Sequence, residues 1–128
     1  MAIQSHRDLI VWQKAMDMVV SIYGLTGRFP ACERYRLVDQ LTRAAASVPA
    51  NIAEGHARAG SREFAQFLAI AKGSLMETET FTMLAVRLGY LSEQTAAPAL
   101  GLITEISKML TALRNRVKEK GAADRREA

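Results

Sequence analysis

The residues with the most chemical promise are the run Gly55-His56-Ala57-Arg58-Ala59-Gly60-Ser61, whose two glycines have the spacing of a phosphate-binding P-loop. Such a loop cradles phosphates with backbone amides, and it needs Lys followed by Ser or Thr after the second glycine to reach the terminal phosphates and magnesium. Here Ser61 and Arg62 follow, and no strand precedes, so nucleotide chemistry is excluded and the run reads as a turn between helices. Anion binding survives as a simpler use. Unpaired amides at the start of the next helix, beside Arg58 and Arg62, suit a backbone phosphate. His6 and His56 stand in no metal-binding spacing with each other or with a carboxylate, and the Glu-x-x-His pairs of a di-metal bundle are missing. Glu77 and Glu79 are two apart and point to different faces of a helix, a poor acid–base pair. Cys32 has no partner base legible in the sequence, and a lone thiol packs more often than it attacks. No catalytic residue, metal or cofactor is expected, and the chain does not read as an enzyme.

What the charge favours is a polyanion. Six of the seventeen basic residues, but only three of the thirteen acidic ones, fall between Ala112 and Ala128, so the net charge of +4 belongs mainly to the end of the chain. Cations near a helix C-terminus also arise for dipole reasons alone. The candidate nucleic-acid contacts are Arg58, Arg62, Arg114, Arg116 and Lys118. Trp12, Tyr23, Phe64, Phe67 and Phe81 recur at helical apolar spacing, where core packing is their use, so base stacking is not indicated and contact with phosphates is. The single cysteine points to a reducing compartment, and the cytoplasm is expected. The apolar stretch Leu9 to Trp12 is broken by Gln13, Lys14 and Asp17, so no secretory signal is expected. The longest apolar run, Phe67 to Ala71, has five residues, against the ~20 of a membrane helix.

The elements that must position these side chains are helices. With 49% hydrophobic residues, 128 residues make one domain, and four segments carry helical periodicity while none alternates like a strand. The first spans Asp8 to about Tyr23 and is apolar around most of its circumference: Leu9, Trp12, Met16, Val19 and Tyr23 form one stripe, Val11, Ala15, Met18 and Ile22 another. A helix of that kind needs cover on more than one side, which points to an oligomer. The second runs from about Arg34 to Ala53 with Leu37, Leu41, Ala44, Ala45, Val48 and Ile52 inward and a kink expected at Pro49. Gly55 to Gly60 reads as a loop and Ser61 as the cap of a third helix that ends near Leu88 at Gly89. Ser92 or Thr95 opens the fourth. Pro98 favours Thr95 as its cap, and its seam is Ala99, Ile103, Ile106, Leu110, Leu113 and Val117. The bundle domain spans 1–118 and a flexible basic tail 119–128.

Short connections favour an all-α, antiparallel up-down-up-down four-helix bundle. Folding the second and third helices back on one another sets Ala44, Ala45 and Ala46 opposite Gly73, where two backbones could approach closely. The same register puts Arg43 near Ser74 and Glu77, predicting a polar layer in which Arg43 pairs with Glu77 while Gln40 and Ser74 add hydrogen bonds.

The run ERYRLVDQLTRAAASVPANIAEG from Glu33 to Gly55, with EFAQFLAIAKGSLMETET from Glu63 to Thr80, LGYL from Leu88 to Leu91 and the opening DLIVWQKAMDMV, closely resembles the four-helix-bundle proteins named for their encoding within 23S ribosomal RNA intervening sequences. The match covers about Asp8 to Leu113, and the extended basic tail departs from it. The resemblance implies a homopentameric ring without catalytic activity. The family is also similar to the accessory protein of diversity-generating retroelements, a pentamer that binds nucleic acid and a reverse transcriptase. Arg43, Asn51, Glu54, Ser74 and Glu77 match the family's characteristic polar positions, which reads as an architectural role. The expected function is therefore a non-catalytic homo-oligomer, a pentamer by resemblance, binding RNA or structured nucleic acid. The alternative is a scaffold that docks a partner protein, with no nucleic-acid role; neither involves a membrane.

Overall fold

The computed structural model describes residues 3–127. Four helices carry most of the chain: α1 (Ile10–Thr26), α2 (Leu37–Ala57), α3 (Ser61–Arg87) and α4 (Glu93–Glu127). Short 3-10 turns lie at His6–Asp8 and Ala31–Glu33, and the described residues contain no strand. The all-α four-helix bundle is thus the observed fold. Helix α1 packs on α2 and α4, and α3 on α2 and α4. Ser47 faces Ser74 and Gly55 meets Phe67, so α3 runs back along α2. Arg114 reaches Ala65 and Gly121 reaches Ser61, so α4 runs back along α3.

The core follows from steps of three and four, which keep one stripe of a helix turned to its neighbours. In α1 the buried stripe is Val11, Ala15, Met18, Ile22 and Leu25. All six inward positions expected in α2 are buried. In α4 Ala99, Ile103, Ile106 and Leu110 are buried, while Leu113 and Val117 are half-buried. Each Leu or Ile so covered stabilises the fold by roughly 1.5–3 kcal/mol. Thr78 and Thr82 are fully buried polar residues in α3, and each satisfies its hydroxyl locally by donating to a carbonyl one turn back, Ser74 O at 2.8 Å and Thr78 O at 2.7 Å.

Helix ends differ from the sequence reading in several places. Helix α2 continues past Ala53 to Ala57, taking in Gly55, and it passes through Pro49, itself buried, as one helix. Helix α3 is preceded by Gly60, and Ser61 makes no capping hydrogen bond; its side chain packs against Gly121 instead. Helix α3 stops where Gly89 takes φ 80°, the Tyr90 amide donating to Ala85 O and the Gly89 amide to Val86 O, so the left-handed glycine closes the last turn. Ser92, not Thr95, caps α4, its Oγ accepting the Thr95 amide at 3.0 Å. Pro98 then falls in the second turn, where it leaves only the Gln94 carbonyl without its helical donor, on an exposed residue. The tail expected to be flexible from residue 119 is helical through Glu127, while Ala128 lies outside the described residues. Lys, Ala, Arg and Glu are good helix formers that extend an existing helix, and buried Gly121 ties that extension to α3. Helix α4 is long and apolar enough to cross a membrane, although its apolar seam is packed inside the bundle.

Candidate nucleic-acid interface

The turn between α2 and α3 is shaped by one residue. A Cβ at Gly55 would lie 2.6 Å from Phe67 Cβ and 3.0 Å from Phe64 Cδ1, so only glycine lets the end of α2 press against the first turns of α3. This contact puts Arg58 over the Phe67 ring, 5.2 Å from its centroid, and beside two carboxylates, Glu54 at 2.6 Å and Glu63 at 3.9 Å. Arg58, a candidate phosphate contact from the sequence, is therefore a locally balanced charge. His56 lies edge-on to Phe64, 5.7 Å between centroids, and His6 edge-on to Trp12 at 5.0 Å. Among the described residues no three His, Cys, Asp or Glu side chains come together to hold a metal.

Next to this turn, α3 and the last turns of α4 enclose a groove of about 800 Å³. Its lining includes Arg62, Arg114, Lys118 and Arg125, with Gln66 and, among the described residues, a single carboxylate, Asp124. The structure thus brings together three of the five cations the sequence singles out. Arg116 is exposed on α4 but does not line the groove. Arg125 is an addition that sequence reasoning missed, because the stretch that carries it reads there as unstructured. Arg114 Nε donates to Ala65 O at 3.1 Å, anchoring its guanidinium to the wall of α3. The start of α3 lends Gly60, Ser61 and Arg62 to the lining, and its first amides precede the first intrahelical bond, from the Phe64 amide to Gly60 O at 3.1 Å. Guanidinium, ammonium and free amides all donate to an anion, and the dipole of α3 adds to the same sign.

The expected polar layer between α2 and α3 takes a different form. Arg43 pairs with Asp39 on its own helix, Nε to Oδ1 at 3.1 Å, and its side chain is 78% exposed; it forms no ion pair with Glu77. The register differs by about one helical turn from the expected one. Ser47, not Arg43, meets Ser74, Oγ to Oγ 2.9 Å, and Asn51 Nδ2 donates to both the carbonyl and the hydroxyl of Ser47 at 2.8 Å. Gln40, Arg43, Ser74 and Glu77 instead rim a shallow depression of about 290 Å³, and Glu54 belongs to Arg58. Gly73 is exposed, with nothing within 4 Å of a Cβ placed there, so the close approach expected at Gly73 occurs at Gly55.

Two titrations are shifted at the ends of the bundle. Backbone amides of Gln4 and Ser5 donate to the Asp8 carboxylate, which together with His56 holds its pKa below the usual 3.8. Tyr90 donates to Glu33 Oε2 at 2.9 Å, and that bond with the neighbouring carboxylate pushes its pKa above the usual 10.0.

The fold and the groove define a class: a small four-helix bundle carrying a cationic recess at one end. The chain belongs to the 23S rRNA-intervening sequence protein family, whose pattern it matches over residues 7–112. It is similar to the crystal structure of a protein with unknown function from the S23 ribosomal protein family of Bacteroides thetaiotaomicron, at 26% identity and a TM-score of 0.75, over 82% of this chain and 98% of that one. No curated protein matches the chain.

Proposed function

We propose that this protein is a non-catalytic, cytoplasmic, homo-oligomeric bundle that binds RNA or structured nucleic acid through the phosphate backbone. The observation that carries this reading is the convergence of Arg62, Arg114, Lys118 and Arg125 on one groove beside the start of α3. No aromatic ring lines that groove, so its affinity is electrostatic and largely indifferent to base sequence. Assembly multiplies a weak site into a useful one. Support for assembly comes from α1, where Met16, Val20 and Tyr23 follow one another on the exposed face and Val20 is 71% exposed. The pentamer itself rests on the resemblance drawn from sequence.

A filter-binding titration against RNA and duplex DNA tests this reading. Four cations per protomer predict an affinity that falls roughly a hundredfold between about 50 and 200 mM salt. Arg62→Ala combined with Lys118→Ala, both exposed, weakens binding and flattens the salt dependence. Affinity indifferent to salt overturns the reading. A second reading, docking of a partner protein, is favoured by the apolar groove of about 540 Å³ between α3 and α4, lined by Met83, Val86 and Leu100. Pulldown with and without nuclease separates the two.

A further inference from the structure

The α1–α2 connection carries a second feature, at the opposite end of the bundle from the basic groove. Tyr35 is the most exposed large apolar side chain among the described residues, at 83%, and it sits in the turn just before α2. Its sequence neighbours Arg34 and Arg36, with Arg28 on the same connection, are all exposed. The Arg34 guanidinium lies over the Tyr35 ring, 5.4 Å from the centroid.

The two acids nearest in sequence make their contacts with other residues. Glu33 accepts the Tyr90 hydroxyl at 2.9 Å, in a contact that joins this connection to the α3–α4 turn, where Phe29 also meets Tyr90. Asp39 is taken by Arg43. Among the described residues Arg28, Arg34 and Arg36 form no ion pair. Core packing does not account for Tyr35, which at 83% exposure stands outside the hydrophobic core and leaves most of its ring accessible beside Arg34.

We infer that this turn is a stacking site for single-stranded nucleic acid, with a base on the exposed ring of Tyr35 and the flanking phosphates on Arg28, Arg34 and Arg36. An aromatic platform set among unpaired guanidiniums matches the alternation of π-face and phosphate along a single strand. A duplex, whose bases are already stacked, has no free face to offer. This inference shares with the basic groove only the class of ligand, and the two sites lie on different elements at different ends.

The experiment uses the full chain and fluorescence anisotropy with labelled oligo-rU, oligo-dT and an abasic oligomer, each of about twelve nucleotides, within the usual site size. Tyr35→Ala is expected to weaken the two base-bearing oligomers roughly tenfold, while Tyr35→Phe retains their affinity because stacking needs the ring and not the hydroxyl. The abasic oligomer should bind the unaltered protein and Tyr35→Ala equally. Preference for oligo-rU or oligo-dT then identifies RNA or DNA as the strand. Circular dichroism should be unchanged in both variants, since Tyr35 is exposed and outside the hydrophobic core. Equal binding of abasic and base-bearing oligomers, equal loss in Tyr35→Phe and Tyr35→Ala, or absence of binding at low salt overturns the inference. So does complete loss of single-strand binding in Arg62→Ala with Lys118→Ala, a result that leaves the groove standing; the converse pattern removes the groove and leaves Tyr35.

Discussion

Glycines 55 and 73 are both helical, and their surroundings predict opposite responses to the same substitution. At Gly73 an added methyl meets nothing within 4 Å, so Gly73→Ala should raise stability by up to about 1 kcal/mol through helix propensity. At Gly55 the methyl would overlap Phe67, and Gly55→Ala should lower stability by about 1–3 kcal/mol despite the same propensity gain. Thermal or urea unfolding of the two variants checks the pair. Composition alone favours the wrong one: Gly73 lies in a helical run opposite an alanine stretch, whereas Gly55 sits beside turn residues. Which glycine is pressed depends on register, and that is a property of the packed pair of helices. The ionisable groups give a prediction of their own. Because the folded pKa of Tyr90 is raised, its bond to Glu33 is at full strength below the usual 10.0 and is lost as pH rises through the folded value. The lowered pKa of Asp8 has the reverse sense: its contribution is present above 3.8 and is lost as pH falls through the folded value. Tyr90→Phe should therefore remove part of the stability loss seen on the alkaline side alone, as followed by the unfolding midpoint across pH.

Helix boundaries show where local signals give way to tertiary ones. The seams of α2 and α4 are legible residue by residue, since a period of three and four is written directly in the apolar positions. The ends are less so. Gly55 falls in the expected loop and Gly121 in the expected flexible tail, yet each lies inside a helix and against a neighbouring one, beside Phe64 and Phe67 in one case and Ser61 in the other. The start of α4 turns on a choice between two hydroxyls three residues apart, and the hydrogen bond to Ser92 decides it. Ser92→Ala should cost about 1 kcal/mol, while Thr95→Ala should cost less, because it keeps the amide bond that caps the helix and loses only the exposed bond in which the Ser92 hydroxyl donates to Thr95 Oγ1 at 2.8 Å. Unfolding midpoints for the two single variants make the comparison.

For the molecule as a whole, the uncovered face of α1 is the decisive surface. If copies of the chain cover it, Val20→Lys should leave the fold intact, since Val20 is outside the core, and should lower the native mass toward the 14.1 kDa of one chain. Sedimentation at micromolar concentration reads the result. The groove was legible in part: Arg62, Arg114 and Lys118 could be named from charge and position, but the cancellation of Arg58 by Glu54 and Glu63 needed the Gly55 contact, and Arg125 needed the extension of α4. That extension has a mechanical corollary. At about 1.5 Å per residue, α4 is roughly 52 Å long, and beyond Gly121 it overshoots the start of α3 like a cantilever clamped at a single turn. Amides past the clamp should exchange quickly, and a trypsin-like protease cutting there would detach Arg125 from the lip of the recess while the four-helix core stayed whole.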